Sequence, residues 1–144
     1  MTAEKNKALV QLFVEEVWNK GNLNFADEIL SSQYVGHDPA DPRETRGIED
    51  FKLRAGMYRQ AFPDLRIEVH DMFGTTDQVV TRYTAKGTHK GDLLGVSPTN
   101  KSVKTTGILI SRIEGGKIKE EFVNWDCLGL LQQLGAVQPE LTAR

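Results

Sequence analysis

The period of the hydrophobic pattern changes once along the chain, at Leu65, and this change limits the fold more than any other feature. Before it, apolar residues recur at helical spacing. Val10, Phe13, Val14, Val17 and Trp18 form an i, i+3, i+4, i+7, i+8 stripe, which predicts a helix from about Thr2 to Lys20. Thr2 is placed to cap its start, Glu4 suits its first turn and Gly21 is placed to end it. A shorter helix is predicted over 25–30, with Asn24 as its N-cap. Ile48, Phe51, Ala55, Tyr58 and Phe62 mark a third helix over 48–62. Pro63 ends it, because the residue before a proline is driven out of the helical region.

After the change, Leu65, Ile67 and Val69 alternate with Arg66, Glu68 and His70, which is the period of a half-buried strand. Long strands are predicted over about 78–89, 102–113 and 117–125. Gly115-Gly116 joins the last two as a tight hairpin, and Pro98-Thr99-Asn100 marks another turn. A closing helix covers about Leu128 to Leu134, before Gly135. Helices grouped before strands predict an α+β fold rather than an alternating parallel one. The helices must cover one face of the sheet. The expected architecture is a cone-shaped barrel: a curved, mostly antiparallel sheet wrapped over three helices from the N-terminal half, with an internal pocket.

A chain of 144 residues suits one domain over 1–144 with one core. With 39% hydrophobic and 26% charged residues, it reads as globular rather than disordered. No apolar run approaches the roughly 20 residues that span a bilayer, and the first residues show no secretion signal. Cys127 is the single cysteine, so no intramolecular disulfide forms, and a cytoplasmic location is expected. The net charge of −2, with both signs interspersed, lacks the basic footprint of a nucleic-acid binder. The expected partner is a small molecule or a second copy of the chain. The three histidines show no H-x-H or H-E-x-x-H spacing, so no metal is expected. The chain has no G-x-S-x-G elbow, P-loop or G-x-G-x-x-G.

Six segments carry a family resemblance. They are Gly36-His37-Asp38-Pro39, Phe62-Pro63-Asp64-Leu65, Gly87-Thr88-His89-Lys90-Gly91, Pro98-Thr99-Asn100, Gly116-Lys117-Ile118-Lys119-Glu120-Glu121-Phe122 and Asp126-Cys127-Leu128-Gly129-Leu130-Leu131-Gln132-Gln133-Leu134-Gly135. Their order and spacing resemble the SnoaL-like polyketide cyclases, or ester cyclases, over nearly the whole chain. The resemblance implies the cone-shaped α+β barrel of the nuclear-transport-factor-like superfamily and a homodimer built through the sheet's outer surface. It implies ring closure by an intramolecular aldol reaction, with an aspartate and an assisting histidine and without metal or organic cofactor. The superfamily also holds isomerases, dehydratases, epoxide hydrolases and non-catalytic binding modules, so fold alone does not assign a reaction. The segment matching the cyclases' Asp-Trp-Pro-Asp reads Val123-Asn124-Trp125-Asp126 here. The catalytic position falls on Val123 or Asn124, and that of the histidine on Leu109.

Other residues are candidates for acid/base work, which needs a pKa moved by burial and neighbours. Asp126 ends the last strand, as an acid facing the pocket or as the cap of the closing helix. Strand alternation groups Glu121 with Val123 and Trp125, the face taken as inward, unless a bulge reverses it. His37, at a strand end, is read as a base oriented by Asp38 or another carboxylate, or as a structural histidine bonded to a loop carbonyl; His89 is a similar candidate. Tyr58, Phe62, Arg82, Trp125 and Asn124 are the expected substrate contacts. Arg82, mid-strand among apolar residues, would need a carboxylate or an anionic ligand if buried. The leading expectation is a cofactor-independent cyclase or isomerase acting on a small, apolar, oxygenated compound. The alternatives are a non-catalytic binding or dimerisation module, and an epoxide hydrolase or dehydratase.

Overall fold

The computed structural model describes residues 2–138. The elements run α1 (Ala3–Phe13), a π-helical turn (Val14–Asn19), a 3-10 turn (Leu23–Phe25), α2 (Ala26–Ile29), β1 (Leu30–His37), β2 (Thr45–Arg46), α3 (Ile48–Ala61), β3 (Arg66–Gly74), β4 (Gln78–Thr88), β5 (Ser102–Glu114), β6 (Lys117–Trp125) and α4 (Cys127–Gln133). The change from α3 to β3 falls at the predicted place, but helices and strands are not segregated: β1 and β2 lie between α2 and α3. Thr2 caps α1 by accepting from Lys5 N–H at 3.1 Å. Asn24 caps nothing: it lies inside the 3-10 turn that leads into α2.

One π-helical turn breaks the first helix's regularity. Its signature is the i→i−5 bond from Lys20 N–H to the Glu15 carbonyl. The turn leaves Val14 and Val17 buried and aims the Asn19 amide at β3. Asn19 Oδ1 accepts from Ile67 N–H at 2.6 Å, and its Nδ2 donates to the Ile67 carbonyl at 3.1 Å. One side chain thus imitates a strand neighbour and ties the helix to the sheet's edge.

The sheet order is β2-β1-β6-β5-β4-β3. Pairing is antiparallel except for β1 with β6, which run parallel, so the sheet is mixed. It curves but does not close, since β2 and β3 remain its two edges. The Gly115-Gly116 hairpin has positive φ at both glycines (59° and 75°), the backbone that two-residue hairpin turns require. Irregular pairing between Arg112 and Ile113 resets the alternation on the β5–β6 ladder, leaving Glu121 and Ile118 both buried.

The apolar core divides in two. The larger cluster joins Val10, Phe13, Val17, Ile29, Leu30, Tyr34, Phe51, Val79 and Ile118 where the helices lie on the sheet. The smaller one joins Ala61, Phe62, Leu93, Val103, Leu130 and Leu134, where α3 and α4 meet the ends of β4 and β5. No helix among the described residues is long and apolar enough to cross a membrane.

Candidate active site

A cavity of about 500 Å³ is lined by members of both clusters. Strand register sorts its sheet wall into cross-strand rows. The rows run Val79-Ser111-Glu121, Thr81-Leu109-Val123 and Tyr83-Gly107-Trp125; of these, Glu121, Thr81, Leu109, Val123, Tyr83 and Trp125 border the cavity. Exposed Leu94 and Met57 border the open side.

Glu121 is the one carboxyl group among the described residues that is fully buried, at 5% exposure. Tyr34 donates to its Oε1 at 2.9 Å and Ser111 to its Oε2 at 3.0 Å. Burial disfavours the charged form and pushes its pKa up to about 7, although both hydrogen bonds pull the other way. Desolvation therefore wins, and the group titrates where a general acid or base is most useful. Tyr34 reaches Glu121 because Gly36 lacks a side chain. Both residues sit on the inner face of β1, and a Cβ at Gly36 would lie 2.8 Å from the Tyr34 hydroxyl. One row higher, the Thr81 hydroxyl is buried in the cavity wall with no hydrogen-bond partner.

The other polar wall lies towards the open side. Asp38 follows β1 and accepts from Trp125 Nε1–H at 3.0 and 3.1 Å and from Ala40 N–H at 2.8 Å. Tyr58 of α3 meets the Trp125 ring edge-on at 6.1 Å. Arg54 also borders the cavity, bound to Asp41 at 2.7 Å and to Asp50 at 3.8 Å.

Of the candidates read from the sequence, Glu121, Tyr58, Phe62 and Trp125 line the cavity. Asp126 does not: it is exposed and caps α4, accepting from Gly129 N–H at 2.8 Å, a bond worth about 1 kcal/mol to a helix. Arg82 is a correction. It projects from the outer face, with a side chain 53% exposed and an ion pair to Asp71 at 2.6 Å. Asn124, one residue out of phase with Val123, is exposed and borders only a smaller surface depression. His37 borders the mouth, but its ring stacks on Phe122, at 4.5 Å, and its Nε2 bonds to Glu120 at 2.8 Å. These partners alternate with Glu121 along β6, so they lie on the opposite face from it. His89 is fully buried outside the cavity lining; its Nδ1 accepts from Thr99 N–H at 3.2 Å and so holds the turn before β5. The structure thus brings no histidine to Glu121. Leu109 and Val123 are cross-strand partners in the cavity wall, and Asn124, the other residue matched to the cyclases' aspartate position, is exposed.

Tyr34 and Tyr83 belong to the site and escape the sequence reading. Their common signal is a glycine beside an inward tyrosine: Gly36 two residues after Tyr34, and Gly107 directly across from Tyr83. No group of three or more His, Cys, Asp or Glu among the described residues is placed to hold a metal ion.

Comparison with known proteins bears on the family and the fold. Residues 8–134 match the sequence profile of the SnoaL-like polyketide cyclases. The aklanonic acid methyl ester cyclase AcmA of Streptomyces galilaeus is 25% identical over 130 residues, 90% of each chain. A candidate polyketide cyclase from Acidithiobacillus ferrooxidans superposes with a TM-score of 0.82 at 32% identity, over 92% of this chain and 95% of that one. TsrD of Streptomyces laurentii superposes with a TM-score of 0.85 at 27% identity, over 95% and 99%.

Proposed function

Because the chain belongs to the SnoaL-like polyketide cyclase family, we propose that it carries out cofactor-independent acid/base chemistry on a small, largely apolar, polyketide-like carbonyl compound held in the cavity. The observation that carries this reading is Glu121, a buried carboxyl group facing an apolar cavity with a pKa near 7. Its ionised form takes a proton from a carbon next to a carbonyl. Its protonated form returns that proton to the product of ring closure or isomerisation. The free Thr81 hydroxyl, one row higher, is placed to donate to a substrate oxygen.

The reading is tested by α-proton exchange of aryl ketone and β-keto ester probes in D2O. The native protein accelerates exchange, with a pH midpoint near 7 for a general base. Glu121→Gln lowers the rate at least about 100-fold. Equal exchange in the two proteins would remove Glu121 from the chemistry. One feature favours a second reading, a ligand-binding module without turnover. Both Glu121 oxygens already accept hydrogen bonds. Such a module binds the same ketones and exchanges no proton.

The site's partner is a second copy of the same chain in this proposal. Exposed apolar side chains on the sheet, Ile108 at 48% and Phe122 at 38%, support pairing through its outer face. Sedimentation equilibrium reads the dimer, and Ile108→Glu shifts it to monomer. A native protein that sediments as a monomer sinks the pairing.

A further inference from the structure

We propose that the mouth of the cavity contains a cation-binding subsite, formed by the Asp38 carboxylate with the rings of Tyr58, Tyr83 and Trp125, which takes a quaternary ammonium or protonated amine on the ligand. The proposal rests on the cavity being a ligand site, and not on the acid/base role of Glu121.

Three observations converge. The first is the charge of Asp38, which is half-buried in the cavity wall and has no ion-pair partner among the described residues. Its bonds come from Trp125 Nε1–H and Ala40 N–H, both neutral donors that an asparagine oxygen would satisfy equally. A half-buried carboxylate with no countercharge attracts a cation, and the hydrogen bonds alone do not call for a charged acceptor. The nearby cation is already engaged: Arg54 holds Asp41 and Asp50.

The second observation is the aromatic frame. Tyr83, Gly107 and Trp125 are consecutive across three strands. The absent side chain of Gly107 leaves the space that the Tyr83 ring and hydroxyl occupy. Tyr58 comes from α3 and stands at 87° to the Trp125 ring. That edge-on contact covers a face of one ring only, and the aromatic faces left beside the carboxylate attract a cation.

The third is electrostatic. Burial first, and the Asp38 charge second, raise the pKa of both Tyr58 and Tyr83. Both phenols therefore lie within the field of the same carboxylate, which stabilises a cation lying between them.

Choline and its neutral isostere 3,3-dimethylbutan-1-ol test the subsite, since they differ only in the charge of the bulky head. Binding is read by NMR chemical-shift changes of the tryptophan indole N–H signals and by calorimetry. The native protein prefers choline about tenfold. Asp38→Asn abolishes the preference and leaves the affinity for the alcohol unchanged. Tyr58→Leu weakens choline binding in the same direction and guards against a folding defect in the first variant. The proposal is overturned if the alcohol binds as well as choline, if neither binds, or if Asp38→Asn keeps the preference. Glu121→Gln keeps the preference whether or not it loses proton exchange, so failure of the acid/base reading remains distinguishable.

Discussion

Glu121→Gln is expected to gain stability over the native protein as the pH rises, reaching about 3 kcal/mol above pH 7. Folding raises the Glu121 pKa from 4.5 to about 7. Below pH 4.5 the group is protonated in both states, and its contribution is fully present. Between the two values the unfolded chain ionises freely while the folded one must hold its proton, so stability is lost as the pH rises. Above about 7 the folded state ionises as well and the loss levels off. Glutamine never ionises, and its amide fits the same partners: its oxygen accepts from Tyr34 and its nitrogen donates to the Ser111 oxygen. Melting curves from pH 4 to pH 9 should show the variant diverging upwards by about 10 °C at the alkaline end. A difference that does not vary with pH would mean that Glu121 is not buried as a neutral acid. Stability gained where proton exchange is lost is the mark of a group kept for chemistry at a cost to the fold.

Gly36→Ala is expected to destabilise the protein by about 2–4 kcal/mol, a large effect for one methyl group. The reason is not backbone strain, since Gly36 is not among the positive-φ glycines. It is the approach of Tyr34: the added carbon would lie 2.8 Å from the hydroxyl and 3.3 Å from the ring carbon that carries it. The ring must move, and the bond to Glu121 breaks inside the core. Tyr34→Phe removes the atom in closest conflict. The alanine should then cost about half as much, a coupling on the order of 1–2 kcal/mol in a double-mutant cycle. Both single variants also move the pH midpoint of proton exchange above 7, because the Tyr34 bond is one of the two that hold the carboxyl's pKa down. Additive costs, or an unmoved midpoint, would show that Gly36 does not position Tyr34.

These two residues also mark what could be read in the sequence. Glu121 was legible because β6 alternates from Glu121 to Trp125, past the irregularity, and the closing helix anchors that phase through Val123 and Trp125. Arg82 was not, because Val79 and Val80 are adjacent and both apolar, so they leave the phase of β4 open; pairing with β5 turns Thr81 and Tyr83 inward and Arg82 out. The orientation of His37 depends on parallel pairing with a strand more than 80 residues later, which local pattern does not encode. The π-helical turn left no trace, since the stripe from Val10 to Trp18 serves an α-helix as well. Two-residue β2 is too short for any period. Local chemistry was easier to recognise: the double-glycine hairpin, Thr2 as a cap and Pro63 at a helix end all follow from backbone geometry within a few residues.

The parallel joining of β1 to β6 has a consequence for how the molecule acquires its site. Tyr34 and Glu121 are separated by 87 positions, and Asp38 and Trp125 by the same number. Both polar centres therefore form only when β1 pairs with β6, whereas β6 joins β5 locally through the Gly115-Gly116 hairpin. Closing so long a loop is entropically expensive and comes late in folding. During synthesis, a ribosome that has not released the residues of β6 carries a chain with helices and hairpins but neither centre. The β4–β5–β6 meander carries Glu121 and Trp125 by itself, and the docking of β1 supplies the second half of each centre, Tyr34 and Asp38.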